Sequence, residues 1–342
     1  MKLSLFDYSL PAELIAQKPA LPRDHSRLLV YDKKTKKITH DYFYNLTKYL
    51  KPTDVLVFNN SKVLPARLLG HKESGGKAEI LLLKKITADW EVLIGAKHPK
   101  IGLKIFFPYD LIATVVGKQS DKTWLVTFNQ SPQALQQILA EVGKLPLPPY
   151  IHSMASESSL IKQYQTVYAK KIGSAAAPTA GLHFSKNLFS KIKKLGCQVE
   201  FITLHVGLGT FNPVNTKNIE DYKIHHETVE IDLPTIKRLI FAKKTGRRII
   251  AIGTTSVRTL EAVLGTRNAL TRSFKGEVDI FIYPGYKFHF VDAIITNFHL
   301  PKSSLIMLVS AFLGRTTTLK LYQLAIKLQY RFFSFGDGMF LK

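Results

Sequence analysis

From Arg67 to Asn129 the chain alternates short apolar runs with polar punctuation. KAEILLLKK, WEVLIGA, LKIFFPY, LIATVVGK and TWLVTFN are all of strand length, and Gly, Asp or Ser stands at nearly every junction. Five strands at this spacing, with no helix between them, predict a small antiparallel barrel or sandwich. A short helix follows, with Ser131 as N-cap, Pro132 at the first helical position and Gly143 just past the end. LPLPPYI then reads as a rigid linker.

Beyond Ile151 the pattern changes. Ser185 is placed to cap a helix, KNLFSKIKKL, whose Leu188, Ile192 and Leu195 share one face; Gly196 stops it and CQVEFITLHV follows as a strand. RRIIAI predicts another strand, GTTS caps a helix VRTLEAVL, DIFIY and FVDAII predict strands, and KSSLIMLVSAFLG and TLKLYQLAIKLQ predict helices. Strands alternating with helices of this length mean a layered α/β domain. RLLVYD and DVLVFNN, near the N-terminus, join the same layer. The expected fold is therefore a discontinuous α/β domain, residues 1–65 and 150–342, interrupted by an antiparallel β-barrel at residues 66–149.

Composition adds a partner to this picture. With 342 residues and 46% hydrophobic content the chain can bury a sizeable core, yet 48 Lys and Arg against 25 Asp and Glu leave a net charge of +23. That excess points to a polyanion or to a Lys-rich surface. Residues 66–150 hold 11 basic and 7 acidic residues, net +4, so the α/β part carries the remaining +19. The single cysteine, Cys197, excludes an internal disulfide and a Cys-rich zinc site. MKLSLFDYSLPAELIAQ contains acidic residues and no long apolar stretch, and the run from Leu305 to Phe312 is too short to span a bilayer. A cytoplasmic protein without membrane contact is expected.

Open α/β sheets bind ligands beyond the carboxyl ends of their strands, and four junctions of that kind carry candidate chemistry. In PTAGLHF, Pro178 and Gly181 fix a tight path, small residues let a planar ligand approach, and His183 titrates; a buried crossing with a satisfied His183 is the structural alternative. LHVGLGTFNPV lacks the third glycine of a dinucleotide turn, and Pro213 argues against a helix there, which leaves His205 and a loop carrying Thr210 and Phe211. GTTSVRTLE offers Gly253, Thr254, Thr255 and Arg258, with an Arg258–Glu261 pair as the internal alternative. TNFHLPKSS places Asn297 and His299 between a strand and a helix. His225 and Glu227 suit an acid–base pair. No H-E-x-x-H helix is present, and no metal is expected.

Taken in order, LIAQKPALPRDHSRLLVYD, VLVFNNSKVLPARLLG, LPLPPYI, YQTVYAKKIGSAAAPTAGLHF, LHVGLGTFNPV, GTTSVRTLE, YPGYKF, VDAIITNFHLPKSSLIMLVSAF and YRFFSFGD resemble the S-adenosylmethionine:tRNA ribosyltransferase-isomerases of queuosine biosynthesis over essentially the whole chain. The resemblance implies an α/β catalytic domain with a β-barrel insertion. It also implies a reaction in which the ribosyl group of S-adenosylmethionine passes to the aminomethyl of 7-aminomethyl-7-deazaguanine at the tRNA wobble position. Epoxyqueuosine-tRNA forms, adenine and methionine leave, and the donor is a consumed substrate rather than a cofactor.

Such chemistry needs at least one base and one acid, so His183, His205, His225, Glu227 and His299 become the catalytic candidates. For substrate binding, Ala177, Thr179 and Gly181 would form a wall, and Phe184 and Phe211 would meet the sulfonium or adenine. Thr210, Gly253, Thr254, Thr255, Arg258, Asn297 and Asp337 complete that set. Arg27, Lys62 and Arg67 are the phosphate candidates on a monomer that binds tRNA. Asn59, Asn60, Ser61 and Lys62 stand where the family usually reads Asn-Asp-Thr-Arg, which removes a bidentate fork, and Tyr222 stands where a His is common. A non-catalytic tRNA-binding protein and an S-adenosylmethionine-dependent RNA methyltransferase are the competing readings.

Overall fold

The computed structural model describes residues 1–120, 122–147, 150–151, 156–207, 214–265 and 271–342. The N-terminal part supplies β1 (Arg27–Tyr31), β2 (Ile38–Tyr42), β3 (Val55–Asn59) and the short β4 (Ser61–Val63). Six strands then close a barrel: β5 (Arg67–Lys72), β6 (Lys77–Ile86), β7 (Asp89–Gly95), β8 (Lys104–Phe106), β9 (Ile112–Lys118) and β10 (Trp124–Phe128), in the order β10-β7-β6-β5-β8-β9. The sequence reading found five of them. It missed β5, whose RLLGHK has only two apolar side chains and turns Leu69 outward. Helix α1 (Pro132–Val142) follows, with the Ser131 hydroxyl accepting from the Ala134 N–H, and lays Leu135 and Leu139 on the barrel core. The chain enters and leaves the barrel side by side, because Arg67 and Lys144 exchange backbone hydrogen bonds of 3.1 and 2.8 Å.

After α2 (Glu157–Gln163) come β11 (Lys171–Ser174), α3 (Lys186–Lys194), β12 (Gln198–His205), β13 (Glu227–Ile231), α4 (Leu233–Lys244), β14 (Ile249–Ile252) and α5 (Thr254–Leu260). They are followed by β15 (Phe274–Val278), β16 (Ala293–Asn297), α6 (Ser304–Leu313), α7 (Arg315–Lys327) and β17 (Gly338–Leu341). Nine strands form one sheet in the order β15-β13-β12-β3-β14-β16-β17-β1-β2. Its centre, β12-β3-β14-β16, is wholly parallel. Parallel strands are covered on both faces, which is why VLVF, IIAI and AII run apolar without alternation. Val55, Val57, Ile249 and Ala251 face one core with α4, α6 and α7, whereas Leu56, Phe58, Ile250 and Ile252 face another with α3 and Phe43.

Two predicted elements shift. DIFIY is not a strand: β15 is the preceding FKGEV, and Ile280, Phe281 and Tyr283 pack on the core as a loop. Apolar content alone does not separate a strand from a loop pressed against a core. GTTS does not cap from outside. Helix α5 already begins at Thr254, the cap position is Gly253 with no side-chain bond, and Ser256 donates back to the Ile252 carbonyl at 2.8 Å. Among the described residues no single helix is long and apolar enough to cross a membrane.

Candidate active site

Parallel pairing brings the carboxyl ends of β3, β12, β14 and β16 to one edge, so Asn59, His205, Gly253 and Asn297, distant in sequence, share it. Strand β17 runs antiparallel to β16 with Gly338 opposite Asn297, and β1 sets Leu28 opposite Gly338. Ser26 and Asp337 therefore reach the same edge.

A cleft opens there, enclosing about 590 Å³ including its mouth. One wall is the run Ala176–Ala180. It is held in place by Ser174, whose hydroxyl donates to the Ala176 carbonyl at 2.7 Å and accepts from the Val206 N–H at 2.9 Å. Gly253 adjoins this wall, a Cβ there lying 3.6 Å from Ala180 Cβ, Thr254 and Thr255 follow it, and the floor carries Thr296, Asn297 and His299. Gly253 has φ +85° and ψ 154°, a conformation that is essentially glycine-only. Among the described residues the buried Thr255 hydroxyl has no hydrogen-bond partner. Among the described lining residues none is Lys, Arg, Asp or Glu.

Of the residues singled out from the sequence, Ala177, Thr179, Gly253, Thr254, Thr255, Asn297 and His299 line this cleft. His299 is 4% exposed, sits 2.9 Å from the Thr296 hydroxyl through Nε2, and burial holds its imidazole down at about 3. Asn297 donates to the Phe333 carbonyl at 2.8 Å and faces His183 Nε2 at 3.3 Å through Oδ1.

His183 lies behind the cleft rather than in it. It is 4% exposed, stacks on Phe43 with ring centroids 4.1 Å apart, and places Nδ1 2.6 Å from the Ser26 hydroxyl. Burial lowers it to about 4, against the opposing pull of Asp337 and Asn297. Its hydrogen-bonding partners are a hydroxyl and an amide rather than a carbonyl.

Other candidates are placed elsewhere. Phe184 is fully buried in the core beside Phe58 and Phe189, so it does not reach a ligand. Gly181 serves the fold: a Cβ there would lie 1.9 Å from the Tyr168 hydroxyl. Asp337 accepts from the Arg27 and Arg331 N–H groups at 2.9 and 2.8 Å, tying β1 to the turn before β17. Arg258 pairs with Glu227, both buried, and also donates to the Ile280 carbonyl at 3.1 Å. Glu227 is thus held by Arg258, and His225, expected beside it, is exposed. The alternative Arg258–Glu261 pair is absent as well, because Glu261 accepts from the N–H groups of His289, Phe290 and Val291.

His205 ends β12 half-buried, outside the described cleft lining, with its imidazole lowered by burial and, among the described residues, no hydrogen-bond partner for Nδ1. Thr210 and Phe211 lie outside the described residues. Of the phosphate candidates, Lys62 is exposed, Arg67 is 3.3 Å from Glu79, and the Arg27 guanidinium covers the Tyr330 ring at 3.7 Å.

Tyr150, Tyr164, Phe333 and Ser334 make the aromatic and hydroxyl side of the cleft; the sequence singles out the C-terminal YRFFSFGDGM as a candidate stretch but names none of these four residues. Tyr150 shares a 2.6 Å hydrogen bond with Ser334 and meets the Phe333 ring edge-on at 4.0 Å. Phe333 has φ +73°, strained for a bulky residue, and Asn297 holds its carbonyl. The available signal was FFSFGDG, a glycine-rich turn loaded with rings.

The two buried histidines make a pH prediction. An unfolded histidine titrates near its ordinary 6.5, so between about pH 6.5 and 4 the unfolded chain takes up protons that the fold refuses. Stability is complete above that window and falls as pH drops through it, with His183 alone costing about 3 kcal/mol. Urea midpoints measured from pH 7 to 4 should fall less steeply for His183→Asn than for the wild type. Parallel curves would refute it.

An α/β protein with an inserted β-barrel and a cleft at the carboxyl edge of its parallel strands is the class these features define. Residues 3–341 match the family described as queuosine biosynthesis protein. The chain belongs to that family. It is 48% identical over 343 residues to the S-adenosylmethionine:tRNA ribosyltransferase-isomerase of Carboxydothermus hydrogenoformans and 48% over 344 residues to that of Thermosipho melanesiensis, covering 100% of each chain in both cases. The crystal structure of S-adenosylmethionine tRNA ribosyltransferase from Thermotoga maritima is similar with a TM-score of 0.57 and 36% identity, over 99% of this chain and 100% of that one.

Proposed function

We propose that this protein is an S-adenosylmethionine:tRNA ribosyltransferase-isomerase. It transfers and isomerises the ribosyl group of S-adenosylmethionine onto the aminomethyl of 7-aminomethyl-7-deazaguanine at the tRNA wobble position, releasing adenine and methionine. The observation that carries the reading is the cleft at the parallel-strand edge, lined among the described residues by rings, hydroxyls and alanines, in a chain that matches ribosyltransferase-isomerases along its full length.

The cleft suits both reactants. Among the described lining residues a sulfonium meets no Lys or Arg, and the rings of Phe333, Tyr150 and Tyr164 offer it faces and edges, a part the sequence suggested for Phe184. The alanine wall admits a flat nucleoside. An apolar wall also favours the neutral form of the attacking amine, which water alone would leave mostly protonated. His299 stays neutral at physiological pH and offers hydrogen bonds rather than charge. Burial raises the Tyr150 and Tyr164 hydroxyls, so both remain protonated donors. S-adenosylmethionine is a consumed substrate, no further cofactor takes part, and the enzyme works in the cytoplasm as a monomer on tRNA.

Incubation of the protein with S-adenosylmethionine and tRNA bearing the deazaguanine precursor should yield adenine and methionine. S-adenosylhomocysteine would identify a methyltransferase, and salt-sensitive tRNA binding without products an inert binder.

A further inference from the structure

Around Phe43, inward and outward rings alternate. Phe43 points in and stacks on His183, which faces Asn297 in the cleft. Its neighbours point out. Tyr42 and Tyr44 lie parallel, with centroids 5.4 Å apart and planes 7° from each other, and His25 meets Tyr44 at 5.0 Å. His25 directly precedes Ser26, the other partner of His183. The outward ladder is thus built on the residues adjoining those that hold the cleft floor.

These rings are not loosely attached. Tyr42 ends β2, the last strand of the sheet, Tyr44 follows in the next turn, which Asp41 fastens, and His25 comes from the turn before β1. The Asp41 carboxylate accepts from the Tyr42 N–H at 2.8 Å, from Asn45 Nδ2 at 2.7 Å and from the Tyr49 hydroxyl at 2.6 Å. Tyr42 is 42% exposed and His25 is exposed. Tyr44 between them is half-buried, stacked on Tyr42 and tilted 53° from His25; together with a net charge of +23 these rings offer the two components of single-strand recognition, π-faces for bases and charge for the backbone.

We propose that His25, Tyr44 and Tyr42 form a stacking platform for unpaired bases of the RNA loop whose modified base enters the cleft. This rests on the tRNA reading above. A wobble base can enter a pocket only once it leaves its stack, and the platform replaces that stacking for its neighbours.

The test is fluorescence anisotropy with a labelled anticodon stem-loop RNA. The Tyr42→Ala/Tyr44→Ala double variant should bind at least about tenfold more weakly, with the slope of log affinity against log salt unchanged. Tyr44→Phe, which keeps the ring, should bind within about twofold of the wild type. Should the double alanine variant unfold, Tyr44→Leu retains apolar packing without a ring and should show the loss. Wild-type affinity in a folded ring-less variant, or a shallower salt slope, overturns the platform. Loss of stem-loop affinity in a protein that releases no adenine would leave the platform standing and overturn the enzymatic reading instead.

Discussion

Asn297→Ala should slow single-turnover adenine release by about 10²-fold, with the protein still folded. Asn297 ends β16, lines the cleft, faces His183 and donates to the Phe333 carbonyl at 2.8 Å. Removing its amide leaves that buried carbonyl and the His183 Nε2 short of a partner, at about 1–3 kcal/mol each. It also releases the left-handed Phe333, whose ring forms part of the cleft, and misplacing a wall by about 1 Å suffices for the rate loss. Asn297→Asp sharpens the expectation: the side chain keeps its shape but loses the donor to Phe333. A rate within about threefold of wild type in both variants would remove Asn297 from the mechanism.

Arg258→Met should destabilise the fold by about 3–5 kcal/mol. The Arg258 and Glu227 side chains are only 7% and 3% exposed and form an ion pair that joins α5 to the start of β13. Taking away the guanidinium removes the positive charge that faces the buried Glu227 carboxylate, whereas Arg258→Met with Glu227→Leu replaces both charges by apolar volume and should recover much of the loss. Urea unfolding measures both. A single variant within about 1 kcal/mol of wild type would show that the pair contributes little. Because neither residue lines the cleft, the rate of the folded fraction should change far less than in Asn297→Ala.

How much of this could be read from the chain differs by element. Helices α1 and α3 were legible to the cap, since Ser131 and Ser185 carry local signals and each accepts the anticipated backbone N–H. The barrel was legible as a succession of strands, though β5 is too polar to announce itself. DIFIY misled because a loop buried under the sheet carries the same apolar run as a strand. In the site, the alanine stretch and Gly253 were recognisable from local composition. His183, Phe184 and Gly181 sit in the same stretch yet turn away from the cleft, and no local pattern distinguishes them.

The sequence by itself determined the layers, the barrel insertion, the basic charge and the family, because periodicity, caps and charge are properties of neighbouring residues and of whole-chain motifs. Tertiary structure alone decided partners. Arg258 lies three residues from Glu261 but pairs with Glu227, 31 positions away; Asp337 ties β1 to the final turn; and Tyr150, Phe333 and Asn297 meet across one sheet edge. Strand order sets which carboxyl ends become neighbours, and that order follows from burying two apolar faces at once, a condition on the whole chain rather than on any stretch of it.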